Sequence, residues 1–97
     1  MNIYLLEQNL NNGYDTYDRC VVAAINESAA RNTHPSPFVT HVKDGKWMGT
    51  YIEGGEYEIE GNDWVEYSQI DQINVTLIGV ANKDFGKAVI CSSFNAG

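Results

Sequence analysis

Apolar residues come in short runs, mostly alternating with polar ones and broken by glycine, asparagine, proline and acidic residues. Ile3 to Gln8 places Ile3 and Leu5 opposite Tyr4 and Leu6, the pattern of a strand buried on at least one face. Asn11-Asn12-Gly13 supplies residues that tolerate positive φ, and Asp15 and Asp18 can close Asx turns, so the chain is expected to reverse within Asn11–Asp18. Arg19 to Ile25 is nearly continuous apolar sequence and predicts a second strand, antiparallel to the first. Asn26 has the side chain of a helix N-cap, with Ser28 an equally acceptable cap, and Glu27 favours the positive end of the helix dipole. His34-Pro35-Ser36-Pro37 limits that helix to about two turns, too short to be stable without packing.

Beyond the prolines the signal becomes that of hairpins. Phe38–Val42 and Trp47–Ile52 flank Lys43-Asp44-Gly45-Lys46, whose Asp-Gly pair is a strong tight-turn signal. Glu53-Gly54-Gly55-Glu56 predicts another turn, leading into an edge strand over Tyr57–Glu60 guarded by charge and ended by Gly61-Asn62-Asp63. Ser68–Gln72 fits a single helical turn, and Ile73–Val80 and Lys87–Phe94 read as two strands of a hairpin joined by a turn over Ala81–Gly86. The expected fold is α+β: an antiparallel sheet in the order β-β-α, hairpin insert, β-β, with one short helix packed on one face. At 97 residues this is one domain, carrying an acidic β-hairpin insert over about 38–61.

Charge adds a direction to that scaffold. The net charge is −7, and from Trp47 to Asn82 there is no Lys or Arg while seven acids fall there: Glu53, Glu56, Glu58, Glu60, Asp63, Glu66 and Asp71. A chain with six bases lacks the concentrated positive surface that direct nucleic-acid binding needs. The acidic stretch reads either as a self-repelling, solubilising surface or as a face, with Glu53 and Glu56 among its contacts, aimed at a basic groove of a protein partner. No apolar run approaches the roughly 20 residues of a membrane span, and the N-terminus has no export-signal pattern, so the expected location is the cytoplasm, that of a host cell under the resemblance below. Cys20 and Cys91 fall in separate apolar strands, which suits buried, reduced thiols.

Catalytic and metal-binding signatures do not assemble. Asp15 and Asp18 lack the further oxygen ligands a metal needs, His34 and His41 have no ligand spacing, and Cys91, Ser92 and Ser93 lack a nucleophile signature. The expectation is a protein that is not an enzyme and uses no cofactor. What stands out is aromatic residues in polar segments. Tyr14 and Tyr17 in the first loop pair an apolar ring with a polar tip, as binding hot spots do, whereas Trp47 and Trp64 are expected to close the core. With Asp15 and Asp18 they make that loop the candidate partner-binding element.

Tyr4-Leu5-Leu6-Glu7-Gln8, the loop Asn11–Asp18, His34-Pro35 and the ending Ser92–Gly97 together resemble a family of small proteins encoded by phages and prophages. The loop Asn11-Asn12-Gly13-Tyr14-Asp15 is more distantly similar to that of the type II-C anti-CRISPR family, which inhibits Cas9 by occupying the active site of its HNH nuclease domain. That likeness implies that Asp15 reaches a basic or metal-binding cleft, and that a serine near the C-terminal strand end, Ser92 or Ser93, belongs to the contact. It implies a host protein as partner, a nuclease or another anti-phage defence component. The other readings are a sequestering protein for a small nucleotide signal, with Arg19 and Arg31 as phosphate ligands, and a structural accessory protein that forms homo-oligomers.

Overall fold

The computed structural model describes residues 1–60, 63–82 and 86–95 and is mainly antiparallel β with little helix. The strands are β1 (Asn2–Glu7), β2 (Thr16–Ala24), β3 (His41–Lys43), β4 (Lys46–Thr50), β5 (Glu56–Glu58), β6 (Asn74–Val80) and β7 (Ala88–Asn95). The helix α1 (Glu27–Arg31) follows β2, and a 3₁₀ turn over Tyr67–Gln72 precedes β6. Among the described residues two sheets form, one ordered β6-β1-β2-β7 and the other β3-β4-β5. The expected ending at Gly61-Asn62, part of the turn over Ala81–Gly86 (residues 83–85) and the final Ala96-Gly97 lie outside the described residues.

The central pair matches expectation: β1 and β2 are antiparallel, with Tyr4 opposite Val22 and Leu6 opposite Cys20. Their inward side chains meet Ala30 of α1, Trp47 of β4, and Trp64, Val65 and Ile73 in a single core. Each fully buried aliphatic side chain here, such as Leu6, Val22 or Ile73, stabilises by about 1.5–3 kcal/mol relative to exposure. Asn26 caps α1, its side-chain oxygen accepting from the Ala29 amide at 2.8 Å. Arg31 fastens the helix to the segment beneath it, donating to the carbonyls of Ile70 at 2.9 Å and Ile73 at 2.6 Å.

Several expectations are corrected. β6 and β7 do not form a hairpin: β6 pairs with β1 and β7 with β2, at opposite edges of the sheet. Alternating hydrophobicity specifies which face a strand buries but not which strand it lies beside, and the connection from Val80 to Ala88 is long enough to pass across two strand ends at about 4.8 Å per spacing. The second strand begins at Thr16, so Tyr17 and Asp18 belong to β2 and not to the loop. The left-handed residue in that loop is Asp15, at φ 60°, and not one of Asn11, Asn12 or Gly13. Phe38, Val39 and Thr40 precede β3 instead of belonging to it. Cys91 is exposed on edge strand β7, while Cys20 is buried, and burial with Cys91 nearby pushes its thiol up to about 12.

The stretch expected as a hairpin and an edge strand is a three-stranded meander sharing the main core. Asp44 and Gly45 both take positive φ, 52° and 72°, as the type I′ turn between β3 and β4 requires. The Trp47 indole crosses from this sheet to donate to the Val65 carbonyl at 3.0 Å. His34 packs edge-on against Trp47 at 5.1 Å, and Tyr67 meets Trp47's ring from another direction at 5.2 Å. His34 is thus an interior residue: its Nδ1 accepts from the Ser36 amide at 2.9 Å, so the neutral ring carries its proton on Nε2, 3.4 Å from the Asp63 carboxylate.

Burial holds the His34 imidazole down to about 4, from an ordinary value of 6.5. Between those pH values the unfolded chain binds a proton that the folded chain refuses. The contribution is therefore whole above pH 6.5 and is lost as pH falls toward 4, up to about 3 kcal/mol. Asp63 works in the opposite sense, because burial raises its carboxyl pKa and acidification relieves that cost. Urea unfolding of wild type and His34→Asn across this pH range should show a steeper acid loss in wild type; parallel curves would refute the buried neutral histidine.

Candidate functional site

The loop after β1 is held by a buried side chain, Gln8. Its amide nitrogen donates to the carbonyls of Asn11 and Tyr17, both at 2.7 Å, and its oxygen accepts from the amides of Leu10 and Asn11, both at 2.9 Å. Buried polar groups are costly unless paired, and this amide has its full complement of bonds. Thr16 adds a hydroxyl bond to the Gly13 carbonyl at 2.6 Å, and Asn11 reaches across to the Trp64 carbonyl at 3.1 Å. The Asp15 amide donates to the Asn95 carbonyl, which ties the left-handed corner to the end of β7. The result is a pinned turn that presents Tyr14, 77 % exposed, to solvent.

Facing that turn is the second sheet, and between them lies an open groove of about 890 Å³. Tyr14 and Asp15 form one bank, and Phe38, Tyr51 and Tyr57 supply aromatic surface opposite. Phe38 is 72 % exposed, a large apolar ring displayed after Pro37. Tyr51 and Tyr57 pack with centroids 4.6 Å apart, and the glycines of the turn between them, Gly54 at φ 99° and Gly55 at φ 85°, bend the chain so that both rings reach the same place. Tyr57 lies directly over Gly49 of β4, where a β-carbon would overlap the ring.

Carboxylates surround these rings: Glu58, Glu60 and Asp63 line the groove with Asp15. Glu58 is approached by Lys46 Nζ at 3.3 Å. Among the described residues no Lys or Arg lines the groove itself. Ser36 lies in its wall near Tyr17, whose phenol pKa is raised by burial and by the nearby Asp63 charge. Rings with negative faces beside carboxylates attract an ammonium or guanidinium group and repel phosphate.

The remaining candidates are distributed around this groove. Tyr17 packs on Phe94 at 4.8 Å as part of its support. Ser93 lies beside Asp18 and holds its carboxyl below the usual range, and Arg19 lies 3.8 Å away. Ser92 is paired opposite Cys20 and lines a separate groove between β7 and the Pro35–Val42 segment. Glu56 is engaged by Lys43 and His41, which hold its carboxyl low, and Glu53 sits on the exposed turn; neither lines the aromatic groove. Among the described residues no group of three or more His, Cys, Asp or Glu is placed to hold a metal ion. No helix among them is long and apolar enough to cross a membrane. Sequence reasoning missed Phe38 and Gln8: Phe38 reads as a strand residue from its neighbours, and nothing in the composition around Gln8 marks it as buried.

The Tyr57 position depends on an absent side chain. Gly49→Ala should drive the ring off β4, remove the ring-to-ring NOEs between Tyr51 and Tyr57, and lower stability by about 1–3 kcal/mol. An alanine variant with unchanged NOEs and melting temperature would contradict this packing.

No family model, no curated protein and no solved structure matches this chain.

Proposed function

We propose that the protein is a non-enzymatic binding protein that receives a cationic segment, or the rim of a basic cleft, of a protein partner in the groove between the Tyr14–Asp15 turn and the second sheet. The observation that carries this reading is the convergence of exposed aromatic rings with Asp15, Glu58, Glu60 and Asp63 on one concave surface. A guanidinium or ammonium group entering there meets π faces and carboxylates together, and the acidic surroundings steer it in by long-range attraction. The resemblance of the first loop to the phage and type II-C anti-CRISPR proteins supports a host protein as partner, a nuclease or another anti-phage defence component, inhibited in the host cytoplasm. On this reading Asp15 brings the charge, and Tyr14 the apolar contact.

The nucleotide-sequestering alternative finds less support. Arg31 is committed to two backbone carbonyls, and Arg19 lies beside the Asp18 carboxylate. A phosphate requires cationic donors that converge, and these two are engaged elsewhere.

Asp15 separates charge from scaffold. Asparagine tolerates a φ of 60° well, whereas alanine there costs about 1–2 kcal/mol. Tagged wild type should enrich a basic host protein from lysate, and binding measured with that protein should weaken at least tenfold, about 1.4 kcal/mol, in Asp15→Asn with no loss of melting temperature. Asp15→Ala should lose both affinity and stability, and raising the salt concentration should weaken the wild-type complex. Wild-type affinity in Asp15→Asn would exclude the groove charge as the basis of recognition.

A further inference from the structure

The two sheets treat their edges differently. The outer strands of the second sheet carry polar and charged side chains: His41 and Lys43 on β3, Glu56 and Glu58 on β5. Charged edge residues discourage a foreign strand from adding to the sheet. In the main sheet, among the described residues, β6 is paired only with β1, and its seven residues, Asn74–Val80, include no charge and no proline. Its outer edge therefore offers backbone donors and acceptors with no charge to deter pairing, interrupted at Ile78, where the register with β1 shifts and leaves that residue without a β1 partner.

The side chains on β6 strengthen the contrast. Leu77 is 58 % exposed, Ile78 52 % and Val80 76 %, although all three are aliphatic residues within the strand. The apolar surface continues around the corner of the sheet, where Asn2 pairs with both Ala24 and Val80 and the Ala81 amide donates to the Met1 carbonyl at 2.8 Å. Met1 and Ile25 are exposed at this same end of the sheet.

We infer that β6 is a homodimerisation edge: a second copy of this chain adds its own β6 in antiparallel register about a two-fold axis near Leu77, joining two four-stranded sheets into one of eight. The occupant follows from charge. With a net charge of −7, two copies repel wherever acidic surfaces face each other, and the seven acids between Trp47 and Asn82 all lie outside β6. A two-fold axis sets each strand against itself, so a strand without charge is self-complementary, while β5 against β5 would oppose Glu56 to Glu58. β7 is also uncharged, but Phe94 is packed by Tyr17, the Asn95 end is tied to Asp15, and its aliphatic residues Val89 and Ile90 are less exposed than those of β6. The dimer edge is distinct from the aromatic groove, so both can be occupied in the same molecule.

Sedimentation of the full chain over a wide concentration series tests this directly. Wild type should pass from the 10.8 kDa monomer to twice that mass and stop there. Leu77→Lys and, separately, Val80→Lys should remain monomeric over the whole series, with wild-type circular dichroism showing that each is folded. Ile90→Lys on β7 should dimerise like wild type. A wild-type chain that stays monomeric overturns the proposal, as does a dimer that survives both β6 variants or is abolished by Ile90→Lys. Growth past the dimer would overturn it too, since it signals open-ended edge stacking.

Discussion

A single buried amide, that of Gln8, determines how the first loop leaves the sheet. Its two N–H groups and its carbonyl oxygen are all taken by backbone of the loop and of β2. An unsatisfied amide in that position would cost about as much as a substantial core defect, so the loop cannot relax without opening several bonds together. The left-handed corner at Asp15, the display of Tyr14 and the near bank of the groove all follow from that constraint.

The far bank is set by a different contact, the aromatic seam between the sheets. His34, Trp47, Trp64 and Tyr67 interlock at angles from tilted to edge-on, and the Trp47 indole reaches the Val65 carbonyl. Edge-to-face geometry matches the positive rim of one ring to the negative face of another. Because the seam fixes the second sheet against the first, the rings of Tyr51 and Tyr57 are held opposite the pinned loop instead of swinging on an independent hairpin. Asp63 joins the two systems, its backbone carbonyl accepting from the Tyr17 amide while its carboxylate faces both His34 and the groove.

Charge is thereby partitioned over the molecule. The second sheet gathers acids around exposed rings and keeps its lysines within its own strands, Lys43 on Glu56 and Lys46 on Glu58. The main sheet keeps its edges neutral. On the proposed readings one surface takes a cationic partner through electrostatics and the other adds a strand through backbone hydrogen bonds, two modes with different dependence on salt.

Much of the local structure was legible in the residues. The central β1–β2 pair, the Asn26 cap, the Asp44-Gly45 turn, the charged edge at β5 and the burial of both tryptophans follow from patterns of a few neighbouring residues, since turns, caps and alternating faces are local physics. Tyr14 could be singled out because a ring displayed in a polar turn has little local structural use, and Asp15 because it sets a charge beside that ring. Strand order could not be read: β6 and β7 satisfy the same alternation whether they pair with each other or flank β1 and β2, and only competition for the central hairpin's two edges decides it. Nor could the groove, whose banks lie more than twenty residues apart in the chain and meet because Gln8 pins one of them and the aromatic seam places the other. Sequence determines which side chains are available for recognition; long-range packing alone determines which of them share a surface.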